Sequence, residues 1–352
     1  MLLIHRLILK ELFLSFFLSI LFLNFALMME KLLKLSRLLS GGAAITDIAE
    51  IIIYIQPQVL IFTIPMSVLL SVLLTYGRMN ADNEITILRG SGMSFRGISR
   101  PVFYLGFAGF IICILISFYL APKGNIFLRE KITEVLTVKA PMAIEEGIFN
   151  TSFKDIVIMV RAKKDPGTFS GILIIDERKK GEQKVIFAKD GKVMPDNDSI
   201  SFSLSSGHIY ITKGDIFTEI SFGRYNFKLS PYFEQKDRKN SEFTPAELLK
   251  ASKEYPDKKI NLLLEFHRRL SMPALCLIIV LLGPPLSLLS GKSGRLGGLT
   301  IGLSVFSIYY TLLLYGENLA RAGKLSHIFG AWFSFAVLCA FSLFIFERIN
   351  KK

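Results

Sequence analysis

The residues of this chain that invite a chemical reading are charged groups set beside long apolar runs. Between Tyr76 and Arg100 a polar insert carries Asp82, Glu84, four arginines and four glycines. Residues 82–88 read as one or two helical turns with Ile85 and Leu88 on one side and Arg89 at the end. A short helix of that kind, lying along a membrane surface, offers a carboxylate and two aliphatics to a groove on a soluble partner. A solvated loop whose arginines only set membrane orientation accounts for the same pattern, and on pattern alone it is the simpler reading. A second group is Lys31, Lys34 and Arg37, whose i, i+3, i+6 spacing puts three cations along one helical side. A phosphorylated lipid headgroup finds charge-assisted partners there, and plain snorkelling to ordinary headgroups explains the spacing equally well. Lys123, Arg268, Arg269, Arg321 and Lys324 stand at the ends of other apolar runs and support the same reading more weakly.

Catalytic chemistry finds little purchase. Cys113, Cys276 and Cys339 each sit inside an apolar run, which suits packing better than redox work or a metal site. His5, His208, His267 and His327 are far apart, and neither H-E-x-x-H nor G-x-S-x-G occurs. Glu265 with His267 is the one acid–imidazole pair worth following, and a structural role suits it better. Ser290-Gly291-Lys292-Ser293 resembles the end of a phosphate-binding loop, but Leu286 stands where that loop needs glycine and no strand precedes it. The expectation is no catalytic residue, no metal and no bound cofactor.

The elements that must position these groups are mostly membrane helices. Half the residues are hydrophobic, 30 of 352 are Phe, and several apolar runs reach the roughly 20 residues that cross a bilayer. Spans are expected over 12–29, 57–76, 102–121, 272–289, 296–315 and 326–346. Pro65 is a kink site, Pro122 and Pro141 are stops, and Gly41-Gly42 ends the first helix. The first run is too long for a signal-peptide core and lacks a prompt cleavage site. Between the third and fourth spans the sequence turns polar and strand-like, at 156–160, 171–175, 185–188, 200–204, 208–212 and 216–229. Asp-Pro-Gly at 165–167 and X-Gly pairs at 180–181, 190–191, 206–207 and 213–214 mark turns between them. Thr244-Pro245-Ala246-Glu247 reads as a capping box. The fold class is therefore membrane α-helical, with six transmembrane helices and an inserted all-β domain whose strand pattern suits a β-sandwich, jelly roll or open barrel. It divides as 1–122, 123–262 and 263–352, with a cytoplasmic coupling segment at 77–100. Gly298 and Gly302 form one GxxxG spacing at the start of the fifth span.

The net charge of +13 follows the spans and forms no aromatic-interleaved stripe, so nucleic acid is set aside. With the N-terminus in the cytoplasm, that side holds the larger share of loop Lys and Arg, which places the β domain on the other side.

The phrase NEITILRGSGMS at 83–94, the segment LEFHRRLSMPALCLIIVLLGPPLSLLSGKSGR at 264–295 and the three-span, β, three-span plan resemble the LptF/LptG family of lipopolysaccharide-export permeases, over nearly the whole chain. The ending PPLS-x₆-GR leans toward the F-type member. The resemblance implies an inner-membrane permease with a periplasmic β domain, half of a heterodimer with a G-type permease. It implies that Glu84, with Asp82, Ile85, Leu88 and Arg89 around it, docks on a dimeric ABC ATPase. It further implies headgroup contact by Lys31, Lys34, Arg37, Arg268, Arg269, Arg321 and Lys324, lateral-gate packing at Gly298 and Gly302, and periplasmic jelly-roll partners that carry the lipid onward. Two other classes compete: a membrane enzyme that modifies envelope lipids, and a non-transporting scaffold for the β domain.

Overall fold

The computed structural model describes residues 2–39, 44–135, 146–153, 155–165, 167–179, 181–196, 199–213, 216–229, 238–289 and 294–351. The chain forms two compact units. One comprises Met1–Met29, Ile55–Asn125 and Arg238–Lys352; the other comprises Glu30–Tyr54 and Ile126–Asp237.

The apolar runs fold into helices that reach well past bilayer length, as backbone groups in hydrocarbon require internal partners. The helices before the strands are α1 (Leu2–Leu39), α2 (Ile45–Ala81), the short α3 (Glu84–Gly90), α4 (Phe95–Leu115) and α5 (Ala121–Glu134). After the strands come α6 (Pro245–Glu254), α7 (Lys259–Leu289), α8 (Gly294–Arg321) and α9 (His327–Asn350). Among the described residues, five stretches are long and apolar enough to cross a membrane: Leu3–Lys31, Ile45–Ala81, Phe95–Glu134, Pro256–Leu288 and His327–Asn350. The expected fifth span lies in α8, a continuous helix of 28 residues. The expected breaks at Gly41-Gly42 and Pro141 fall outside the described residues.

Pro122 does not end the third helix. A π-helical turn at Ile116–Leu120 joins α4 to α5, and Ala121 N–H reaches back to the carbonyl of Ile116. Proline lacks an N–H and crowds the carbonyl four residues earlier; a widened turn just before it removes both conflicts. The Thr244 box forms as expected, with the hydroxyl accepting from Glu247 N and the Glu247 carboxylate accepting from Thr244 N at 2.8 Å.

In the helical unit, α2 and α7 are largely enclosed, whereas α1, α4 and α9 expose most of their apolar side chains. The core joins Val68, Val72 and Tyr76 of α2 to Cys276, Ile279 and Leu282 of α7, with Val102 of α4 and Tyr309 of α8. At Gly316 and Gly330 the backbones of α8 and α9 touch, and a Cβ on either would collide with the other's carbonyl. Leu14, Phe17, Leu21 and Phe25 of α1 lie on the outside. An apolar surface of that extent is untenable in water and is ordinary lipid contact in a bilayer.

The β unit is one antiparallel sheet in simple order: β1 (Asn150–Phe153), β2 (Ile156–Asp165), β3 (Thr168–Lys179), β4 (Glu182–Asp196), β5 (Ser199–Lys213) and β6 (Ile216–Leu229). It is a meander without the crossovers of a Greek key. Two expected turns are not turns. Asp190-Gly191 lies within β4, and Ser206-Gly207 lies within β5, merging 200–204 and 208–212 into one strand. Ser206 lies on a crease, and Asp190 stands next to it. Pairing skips one position on every strand from β2 to β6, along Arg161, Gly171, Lys189, Ser206 and Gly223. Across that line the inward side changes parity on β3 and β5: Leu204 and Ile209 both point inward, as do Phe169 and Ile172. Both halves feed one core, Ile158, Ile174, Ile186 and Ile209 meeting Phe169, Phe202, Leu204 and Phe227. The long sheet thus folds over on itself. Gly171 (φ +62°) and Ser206 (φ +53°) take the left-handed backbone this bend needs, and a Cβ at Gly207 would overlap the Phe187 carbonyl.

Candidate functional site

The insert between α2 and α4 folds as α3, a seven-residue helix one residue past a left-handed Asn83 (φ 57°). That residue lets the chain turn sharply out of α2 and start again, and asparagine tolerates the conformation best after glycine. Ile85 is 2% exposed and is part of the helical core, with Leu88 packed beside it. These two aliphatics therefore fasten α3 to its own chain and are not the pair held out to a partner. The outward aliphatic is Ile87, 68% exposed, which sequence reasoning passed over. Its signal is the i+2 offset from Ile85, which on a helix places it on a different face.

Glu84 does not stand alone. Arg78 in the last turn of α2 donates from Nη1 to Glu84 Oε1 at 2.7 Å and to Asp82 Oδ2 at 2.9 Å. The same guanidinium donates from Nε and Nη2 to the two oxygens of Glu11 on α1, at 2.5 and 2.7 Å. One cation thus holds three carboxylates on or beside three helices. Arg89 is half-buried at the end of α3. Beside Glu84 lies an almost wholly apolar hollow of about 340 Å³, lined by Leu3, Leu7, Ile8, Met79, Ile87 and Leu88 among others. Glu11 was not singled out from sequence, although an acid at the entry of an apolar run is itself a signal.

The cations at the other helix ends are placed differently from one another. Lys31 is half-buried, while the side chains of Lys34 and Arg37 lie outside the described set. Arg269 is 6% exposed and donates to the carbonyls of Phe243 (2.5 Å), Ser241 (3.0 Å) and Asn240 (3.2 Å) and to Glu265 (3.2 Å). That guanidinium is turned into the protein and clamps the 240–243 turn, which corrects the expectation that it meets a headgroup. Arg268 pairs with Glu265 and lies 3.6 Å from Glu317 of α8, which also binds Arg321 at 3.0 Å. Lys123, Arg321 and Lys324 are exposed. Within the β-containing unit, Lys131 of α5 binds Asp47 and Glu50 of α2 at 3.1 and 2.8 Å, a tie that sequence spacing gave no hint of.

Gly298 and Gly302 also face inward. A Cβ at Gly302 would come within 2.7 Å of Leu70 and 3.2 Å of Leu73, and one at Gly298 within 3.4 Å of Leu73. Their glycine face is taken up by α2 of the same chain, not by a partner. Glu265 and His267 do not form an acid–base pair: Glu265 is held by the two arginines, while His267 stacks on His327 and accepts from Trp332 Nε1 at 3.3 Å. No group of three or more metal-ligating side chains occurs among the described residues. The Ser290–Ser293 tetrapeptide lies outside them.

An apolar helical bundle carrying a folded-over β sheet, with a short surface helix pinned between two spans, defines a polytopic membrane protein with an extramembrane β domain. Residues 6–348 match the family described as lipopolysaccharide export system permease LptF/LptG, and the chain belongs to that family. It is also 23% identical over 333 residues to an uncharacterized protein, RP871, of Rickettsia prowazekii (strain Madrid E), covering 92% of this chain and 91% of the other.

Proposed function

We propose that this chain is a permease subunit of an ATP-driven exporter that extracts lipopolysaccharide from the inner membrane and delivers it to a periplasmic β-jelly-roll bridge. The observation that carries the reading is α3: within a chain that matches the permease family from end to end, a seven-residue helix between two spans is anchored inward by Ile85, shows Ile87 outward and keeps Glu84 partly exposed beside Arg78. Such a helix transmits force from a cytoplasmic ATPase, because it is fixed to the bundle on one side and free to seat in a groove on the other.

In this reading α1, α2, α4, α7, α8 and α9 are the six spans. Residues 1–122 and 263–352 form the membrane portion, with 77–100 as the coupling segment, and 123–262 lie in the periplasm. An ABC ATPase dimer supplies ATP hydrolysis with Mg, and a second six-span permease of G type completes the pair; the 284–295 sequence inclines this chain to the F type. Lys31, Lys34, Arg37, Arg268, Arg321 and Lys324 contact lipid phosphates. The exposed apolar flanks of α1 and α8, Leu21 and Ile308 among them, form the lateral gate. The folded sheet shelters acyl chains, and its β6 edge continues into the next jelly-roll protein.

Copurification tests the assembly. The tagged full-length chain is expected to bring down an ABC ATPase and a related six-span permease, and its depletion to leave lipopolysaccharide in the inner membrane. A chain that isolates alone and modifies lipid in detergent without ATP is an enzyme, and the proposal falls.

A further inference from the structure

The Arg78 cluster supports a step beyond the docking of α3. In the usual picture of a surface helix gripped by a motor, the grip is passed on through the helix that precedes it. Here it has a second route. The Arg78 guanidinium presents two parallel donors to both oxygens of Glu11 on α1, and a third donor to Glu84 on α3. A planar, five-donor fork fixes the angle between the groups it binds, which a lysine ammonium does not. Arg78 and Glu11 are about a third and a quarter exposed, so the pair is partly shielded from water.

Two further features give the link its character. The four side chains Arg78, Glu11, Asp82 and Glu84 carry one positive and three negative formal charges. A cation offered to Glu84 by a docking partner therefore relieves a surplus, and Glu84 changes hands without stripping Arg78 from Glu11. Farther along the same two helices, Thr75 donates to Ser15 at 3.2 Å and Gln56 to Asn24 at 2.9 Å. Polar pairs between helices in apolar surroundings hold them in register. The α1–α2 contact is thus an apolar one pinned by polar pairs, with its charged clasp at the α3 end.

We propose that Arg78 is a positioning residue that binds α3 to the first span through Glu11, so that a displacement of α3 by a partner moves α1 together with α2. This rests on the permease reading above, and it assigns Glu11 and Arg78 a role in coupling that is separate from docking.

The test uses the full-length chain with its second permease and ATPase in proteoliposomes containing lipopolysaccharide. Lipid delivered to an acceptor is measured per ATP hydrolysed, with thermal stability alongside. Glu11→Gln is expected to keep the ATPase rate within about twofold and to lower lipid per ATP at least fivefold; Glu11→Asp, which keeps the charge, restores at least half of the loss. A wild-type ratio in Glu11→Gln overturns the proposal, as does a loss that Glu11→Asp fails to relieve at equal stability. A second measurement needs no variant in the cluster. Spin labels at positions 3 and 91 are each paired with one at 348 and followed through the ATP cycle. Both distances change together if the clasp transmits motion, and a record in which position 3 stays put overturns it. A wild-type complex that hydrolyses ATP but moves no lipopolysaccharide contradicts the permease reading instead, and the label distances still decide this one.

Discussion

Arg269→Met keeps the aliphatic stem and removes every donor. In the folded chain those donors serve three carbonyls of the 240–243 turn and the Glu265 carboxylate. Glu265 keeps Arg268 as a partner, so no carboxylate is orphaned. Ser241 O keeps Asn125 Nδ2 as a donor at 3.1 Å, and each of the other two carbonyls, on Asn240 and Phe243, costs about 1–3 kcal/mol if water does not replace the guanidinium. Partial hydration and relaxation of the turn bring the total into the range of about 3–5 kcal/mol seen when one member of a buried ionic cluster is removed. At about 2–4 °C per kcal/mol, the midpoint of thermal unfolding falls by about 10 °C. The assay is thermal unfolding of the purified chain in detergent, with limited proteolysis reporting the 240–243 turn. Arg268→Met is the control: it removes a half-exposed cation that lies beside Glu265 and Glu317. If Arg269→Met keeps wild-type stability and protease resistance yet loses lipopolysaccharide transfer, the clamp assignment is refuted and the residue faces a headgroup.

The remaining predictions concern α3 and α6. Ile85→Asp places a charge in the helical core and is expected to destabilise the chain by about 3 kcal/mol or more. Ile87→Asp is expected to leave stability unchanged and to weaken copurification of the ATPase, so equal behaviour of the two variants contradicts the inward and outward assignment. Glu247 is held below the ordinary carboxylate range, first by the Arg238 guanidinium and then by the Thr244 backbone N–H, against a small opposing effect of burial. A depressed folded-state value contributes stability above the unfolded one and loses it as pH falls through the folded one. The stability difference between wild type and Glu247→Gln, under about 1 kcal/mol for this exposed pair, should therefore be present at neutral pH and vanish as the pH drops below the carboxylate range.

The elements that were legible in the sequence are those set by long-range composition. Apolar runs became helices and alternating runs became strands, because the bilayer and the sheet each impose a period on the chain. Local punctuation was less dependable. Pro122 reads as a stop until the preceding turn widens into a π turn, an adjustment no residue type announces. Asp190-Gly191 and Ser206-Gly207 read as turns because such pairs supply unusual backbone angles. At Ser206 that freedom serves a crease running across five strands, which only the register between strands reveals, while Gly191 is set by close packing against Ile172 and Leu204. At the candidate site the sequence pointed to the insert and to Glu84, since a carboxylate on a short polar helix between spans is conspicuous. It could not tell which aliphatic faces inward, because that depends on where α3 lands on the bundle. Nor could it join Glu11 to Arg78, 67 residues apart, before the two helices were laid side by side.

That α3 conveys the work of ATP hydrolysis to this chain through Glu84 is the proposal on which the rest depends. It is tested most directly by Glu84→Ala in the reconstituted complex, measuring ATP hydrolysis and lipopolysaccharide release together. The expected variant inserts normally and no longer converts ATP hydrolysis into lipid release. Release at the wild-type rate from that variant would contradict the proposal.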